Sequence, residues 1–173
     1  MQQIVTIQQL DLLTLGAYNV AVGKNALEGD TKGSKTVAIG RSALATQNFT
    51  TATDTYNTAV GYYAGNALTT GTLNTTLGGL AGDQITTGVR NICIGYDAGK
   101  ALTTGSKNIL IGSESAINSS GTDNVIVMGY DVDAVGANNF TFGNGNLDSN
   151  IAFGATTITQ PYIPMEKRKR YSI

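Results

Sequence analysis

The sequence predicts an all-β fold, a parallel β-solenoid of about 17 residues per coil. Three observations predict it: a composition of turn-formers and β-branched residues, a fixed spacing of glycines, and short apolar alternation before each glycine. Of the 173 residues, 22 are Gly, 24 Thr and 15 Asn, and only 13% are charged, which excludes a helical bundle and a charged disordered tail. With no His, no Trp and one Cys, a His-dependent triad, a disulfide framework and a Cys/His zinc site are excluded too.

Residues 1–18 are apolar at Ile4, Val5, Ile7, Leu10, Leu12, Leu13 and Leu15, and read as an N-terminal cap or attachment segment. They show no basic n-region and no small-residue cleavage site, so export by the usual signal is not expected. Gly, Asn or Thr interrupts every apolar cluster, so no run reaches the length of a membrane span.

Residues 19–154 carry the repeat. The pattern Asn-x-x-apolar-Gly closes on Gly23, Gly40, Gly61, Gly78, Gly95, Gly112, Gly129, Gly143 and Gly154, in steps of 17, 21, 17, 17, 17, 17, 14 and 11. Thr36 stands in the Asn place of the second copy, and Asn124 to Gly129 reads as a copy with one extra residue. The longer step places a Thr-rich surface loop at Gln47 to Tyr56, and the shortening at the end reads as a taper toward a cap.

One and three residues after each Asn stand apolar residues such as Val20 and Val22, Val37 and Ile39, Ile92 and Ile94, Ile109 and Ile111, Val125 and Val127, Phe140 and Phe142. Alternation of this kind predicts a strand of about four or five residues with that face buried. The second half of a unit repeats as well, with Ala26, Ala43, Ala64, Ala81, Ala98 and Ser115 three places after the Gly. It continues as Ala-Leu-Thr-Thr-Gly or its kin, which fits a second strand and a second turn. Stacked at the strand spacing of about 4.8 Å, eight or nine coils make a rod roughly 40 Å long with Asn57, Asn74, Asn91 and Asn108 in one ladder.

A coil of two strands encloses a thin core, and burial at roughly 25 cal/mol per Å² barely offsets ordering 17 residues at about 1–2 kcal/mol each. Further burial is expected from the residue two after the Asn: Ala21, Ala38, Ala59, Cys93, Leu110, Ile126 and Ala152. If that face points outward, it packs against other copies, and a homotrimer is expected. If the coil is flat enough for that face to be internal, a monomer suffices.

Thr36-Val37-Ala38-Ile39-Gly40-Arg41-Ser42-Ala43 and Asn57-Thr58-Ala59-Val60-Gly61-Tyr62-Tyr63-Ala64-Gly65 resemble the head repeats of trimeric autotransporter adhesins and the related repeats of bacteriophage tail-fibre proteins. The resemblance covers residues 19 to 154 and implies a left-handed parallel β-roll assembled as a homotrimer. The repeat departs from the shorter unit usual in adhesin heads, and no signal peptide, coiled-coil stalk or membrane anchor is recognised, which turns the expectation from an exported adhesin toward a virion.

No motif supports an enzyme. Gly78-Gly79-Leu80-Ala81-Gly82 lacks the Lys-Ser/Thr of a phosphate loop. Asp83, Asp97, Asp131 and Asp133 are not expected to share a column, so no calcium, cofactor or other metal site is predicted. Cys93 stands where other coils have Ala and reads as a small buried side chain. Tyr62, Tyr96 and Tyr130 follow the closing Gly at steps of 34, with Tyr63 beside the first. They are candidate receptor contacts, able to stack on sugar rings, or else turn-covering aromatics or contacts between copies.

Residues 155–173 read as an extended C-terminal arm with a basic tail, because Pro161 and Pro164 remove ladder donors. Pro161, Tyr162, Pro164, Lys167, Arg168, Lys169 and Arg170 are candidate partner-docking residues, or a solvated tail. The expected function is that of a non-enzymatic virion structural protein, a trimeric tail fibre or fibre-like appendage of a tailed phage that contributes to host attachment, assembled in the host cytoplasm. Expected partners are its own copies, other virion proteins and a host-surface glycan or protein, with no nucleic acid and no membrane insertion. A capsid decoration or neck protein, a bacterial surface adhesin head and an ice-binding solenoid are the alternatives.

Overall fold

The computed structural model describes residues 16–145 and 148–155. Among these residues there is no helix, and the chain is a β-solenoid whose coils stack in parallel. Its main sheet contains β1 (Val20–Val22), β3 (Val37–Ile39), β5 (Thr58–Val60), β6 (Thr75–Leu77), β7 (Ile92–Ile94), β8 (Ile109–Ile111), β9 (Val125–Gly129), β10 (Asn139–Gly143) and β11 (Ser149–Ala152). Two further strands, β2 (Gly33–Ser34) and β4 (Thr53–Asp54), pair in parallel beside it.

From β1 through β10 every neighbouring pair is parallel, and the register repeats residue for residue. The last pair is different. β11 runs antiparallel to β10, with Phe140 opposite Ile151, so Asn150 to Gly154 turns back as a hairpin and is not a further coil. A step of 11 residues is too short for a full coil.

Most strands are three residues long; the expected second strand is present as β2 and β4 in the first two coils, and in the later coils the second half is a chain of turns with isolated parallel bridges at Lys100, Ala116 and Asp133. Its backbone is nonetheless tied from coil to coil: Gly65 N–H donates to Ala81 C=O, Gly82 to Ala98 and Gly99 to Ser115, at 2.8–2.9 Å. Turns can stack only if each bends at the same residue. At Gly78 and Gly95 φ is +132° and +131°, outside the range of L side chains, and a Cβ at Gly95 would lie 2.7 Å from the Gly112 carbonyl carbon.

Val125 and Val127 of β9 are buried as predicted, but in the other parallel strands the buried face is the opposite of the one predicted. Ala38, Ala59, Cys93 and Leu110, two residues after the Asn position, are fully buried, whereas Val20, Ile39 and Leu77 are exposed. Asn57, Asn74, Asn91 and Asn108 are themselves buried, and a strand alternates, so the residue two places on must also face inward. Of the predicted outward set, Ile126 alone in the parallel strands points out, because Val125 takes the ladder position 17 residues after Asn108. The apparent extra residue in that copy is Asn124, which lies before the ladder position.

The Asn column is a clamp more than an amide–amide ladder. Asn91 Oδ1 accepts from the backbone N–H of Asn108 at 3.1 Å, and its Nδ2 donates to Gly105 C=O at 2.9 Å. Asn57, Asn74 and Asn108 make the same two bonds. Each clamp joins a strand start to the closing turn of its own coil and to the next coil, satisfying buried backbone groups that no sheet reaches.

The remaining core is one large apolar side chain per coil beside two small columns. Leu27 and Leu44 fill it in the first two coils, and Leu68, Ile85 and Leu102, three places later in their coils, fill it in the next three. Gly65 and Gly82 then stand where Leu27 and Leu44 stood, and a Cβ at Gly65 would lie 2.9 Å from Leu44 Cδ2. Where Thr36 replaces Asn, buried polar groups take over: Gln47 Nε2 donates to Asp30 Oδ2 and to Thr36 Oγ1, and Asn57 Nδ2 donates to Gln47 Oε1. The insertion at Gln47–Tyr56 is therefore anchored: Gln47, Phe49 and Thr55 are buried and β4 lies within it.

Candidate functional site

Two exposed surfaces stand out, both set by the repeat. The first is the outer face of the main sheet. Strand register stacks Val20, Val37, Thr58, Thr75, Ile92, Ile109, Ile126 and Phe140 in one column and Val22, Ile39, Val60, Leu77, Ile94, Ile111, Met128 and Phe142 in the next. All but the two threonines are apolar. At about 4.8 Å per step the strip runs about 34 Å along the rod. Soluble monomers rarely leave so long a continuous apolar strip in water, and a sheet with both faces apolar is the pattern of strands covered on both sides.

The second surface is the edge just past the closing glycines. Tyr62, Tyr96 and Tyr130 lie in one row, each more than half exposed, with Gly79 and Ser113 on the coils between. Backbone bonds fix that row: Leu80 N–H donates to Tyr62 C=O, Asp97 to Gly79, Glu114 to Tyr96 and Asp131 to Ser113, all at 2.8–3.0 Å. The Tyr96 ring lies along Gly79, whose added Cβ would sit 3.7 Å from Tyr96 Cδ2. Tyr63 belongs to the adjoining row and packs against Tyr62 at 4.5 Å between ring centroids, with the rings tilted by 46°, and the Arg41 guanidinium lies 5.8 Å from both rings.

That adjoining row also holds Asp97, Glu114 and Asp131 on successive coils. Asp97 and Asp131 were not expected to share a column; the structure puts them in one with Glu114 between, two residues after each closing Gly. Among the described residues no group of carboxylates is placed to hold a metal ion. Asp83, one coil away, has its pKa raised by burial and by the charge of Asp97. Residues 78–155 hold seven carboxylates against Arg90, Lys100 and Lys107. The ion pair found among the described residues, Lys35 Nζ to Asp54 Oδ2 at 2.6 Å, is at the other end of the rod.

Cys93 is fully buried, and burial alone pushes its thiol up to about 12, as expected for an inert core side chain. The threonine column at Thr69, Thr86 and Thr103 is not a free hydroxyl face, since each Oγ1 donates to the backbone carbonyl of the next coil at 3.1–3.3 Å. Pro161, Tyr162, Pro164 and Lys167 to Arg170 lie outside the described residues, as does nearly all of the predicted N-terminal cap. The acidic row was legible in the 17-residue spacing of Asp97, Glu114 and Asp131, and was missed because Glu114 was not counted with the aspartates.

The described chain is thus an all-β parallel solenoid with one apolar and one tyrosine-lined acidic exposed surface. No family model, curated protein or solved structure matches it.

Proposed function

We propose that the protein is a non-enzymatic structural protein of a virion, a short homotrimeric tail fibre or fibre-like appendage of a tailed phage, wound as a left-handed β-roll. The observation that carries this reading is the apolar strip from Val22 to Phe142 on the outer sheet face, which the described residues leave partly exposed. Three copies meeting at a common axis through these strips cover one face each and leave the turn edges outside. The trimer first expected from the small residues at Ala38, Ala59 and Cys93 is thereby moved to the other face, because those residues are already buried inside each coil.

Such an assembly suits a fibre. Its stiffness comes from coil-to-coil hydrogen bonds and Asn clamps along the rod, and its lateral cohesion from apolar burial at the axis. The resemblance of Thr36 to Ala43 and Asn57 to Gly65 to adhesin-head and tail-fibre repeats agrees with both the winding and the three-fold assembly. Electron microscopy of the phage particle, with a gold label on this chain, tests the assignment. Label on a slender three-fold appendage is the expected result, and a particle without label rejects it.

A further inference from the structure

We infer that the tyrosine-lined edge docks on the same edge of a second copy turned end for end, with the two-fold axis passing Gly79 and Leu80. The two ends of this edge carry opposite charge. Backbone bonds continue the tyrosine row toward the first coil, where Tyr63 N–H donates to Arg41 C=O and Ser42 N–H to Lys24 C=O, both at 2.9 Å. Within the two rows of the edge, the cations Lys24 and Arg41 therefore stand on the first two coils, and Asp97, Glu114 and Asp131 on the fifth to seventh. Lys24 and Arg41 are exposed, and among the described residues none of these five charges is in an ion pair.

Rotation about that axis sets the first coil against the seventh, the second against the sixth and the third against the fifth. Lys24 then meets Tyr130 and Asp131, Arg41 meets Ser113 and Glu114, and Tyr62 meets Tyr96. Tyr63 stands opposite Asp97, a hydroxyl donor facing an acceptor. At the axis Gly79 adds no side chain, so the rings on either side of it can close on one another, and Leu80 meets its own copy. Because the operation is two-fold, each of these contacts is made twice.

Charge fixes the direction of pairing, and area fixes its strength. In a parallel pair the carboxylates of one copy would lie level with those of the other, and like charges brought together oppose association. Six coil steps make an edge about 29 Å long; at a width of roughly 10 Å it buries roughly 300 Å² per copy, against ~800 Å² per partner in a standard stable interface. The contact is thus transient: it forms between rods crowded side by side and parts on dilution. It goes beyond the virion reading and holds for any number of copies in the rod, since packing at the apolar strip leaves this edge outside.

The test places one cysteine on the full chain, as Gly79→Cys or Ser113→Cys, and treats concentrated protein at low salt with a short bis-maleimide; native Cys93 is buried and does not compete. Cross-linked pairs of chains are counted on a denaturing gel. Gly79→Cys, on the axis, is expected to cross-link, and Ser113→Cys, four coil steps or about 19 Å from its own copy, is not. The yield should fall roughly tenfold in about 1 M salt, where the screening length is about 3 Å, and again when Lys24→Glu and Arg41→Glu are added to Gly79→Cys. It should return when that variant is mixed with Gly79→Cys carrying Glu114→Lys and Asp131→Lys, because each charge at those four positions then meets its opposite. Ser113→Cys cross-linking as well as Gly79→Cys, no cross-link at Gly79→Cys, or a yield indifferent to salt and to the reversed charges overturns the inference. A monomeric mass in dilute solution would instead sink the trimer and leave the cross-link result standing.

Discussion

Replacing Gly95 by Ala is the sharpest perturbation of the stacked-coil geometry. The new Cβ would lie 2.7 Å from both the carbonyl carbon and oxygen of Gly112 on the next coil, and 3.0 Å from Ser113 N. All three are backbone atoms, so no side chain can swing aside. The residue would also keep a φ of +131°, a conformation that costs an L residue about 1–3 kcal/mol. Overpacking against the next coil adds about 1–3 kcal/mol more.

The expected loss is about 3–5 kcal/mol, a large share of the 5–15 kcal/mol typical of a folded domain. At about 2–4 °C per kcal/mol for a chain of this size, Tm should fall by roughly 6–20 °C. Gly79→Ala is the internal control. It lies on the next coil toward the N-terminus, has no positive φ, and its Cβ meets only Tyr96 Cδ2 at an ordinary 3.7 Å. Thermal unfolding followed by the β-sheet circular dichroism band should show Gly79→Ala within about 0.5 kcal/mol of the parent. Equal stability of the two variants would refute the stacked-glycine argument.

Thr76 stands in the inward Ala/Cys column, and its hydroxyl is buried without a partner. Thr76→Val should therefore stabilise the fold by about 1 kcal/mol in urea titration. Asn91→Ala removes both bonds of a clamp and orphans the Asn108 N–H and the Gly105 C=O, so a loss of about 2–4 kcal/mol is expected by the same titration. Cys93 should react with a thiol reagent at pH 8 only as fast as the protein opens, which stopped-flow labelling against the unfolding rate will show. Because its folded pKa is raised from 9.0 to about 12, the unfolded chain releases that proton first. Stability present below about pH 9 then declines as pH rises toward 12, by at most about 1.4 kcal/mol per pH unit, and Cys93→Ala should flatten that decline.

The period and the parallel stack were legible in the sequence because glycine and asparagine do jobs no other residue does as well. Gly95 must turn where a Cβ would strike the next coil, and Asn91 must clamp two coils at once, so both recur every 17 residues. Which face is inside was harder to read, because both faces are apolar. Large residues such as Ile92 and Ile94 looked like core and small ones such as Ala59 like a packing surface, yet the inward strand column is filled mostly by small residues because Leu68, Ile85 and Leu102 already occupy the core beside it. The buried Asn held the missing information, since strand parity puts the residue two places on beside it. β11 was misread because Asn150 to Gly154 keeps the motif while the shortened step forces a hairpin. The acidic row of the tyrosine edge follows the same 17-residue step, at Asp97, Glu114 and Asp131, and emerges once Glu114 is set beside the aspartates.

The account rests most heavily on the apolar strip being covered by other copies of the chain. Light scattering coupled to size exclusion measures this directly on the full-length protein. The expected mass is three times the 17.9 kDa of one chain, dropping to a single chain when Leu77→Lys and Ile94→Lys place charges on the strip. A mass of 17.9 kDa for the unaltered protein, with the strip open to water, would contradict it.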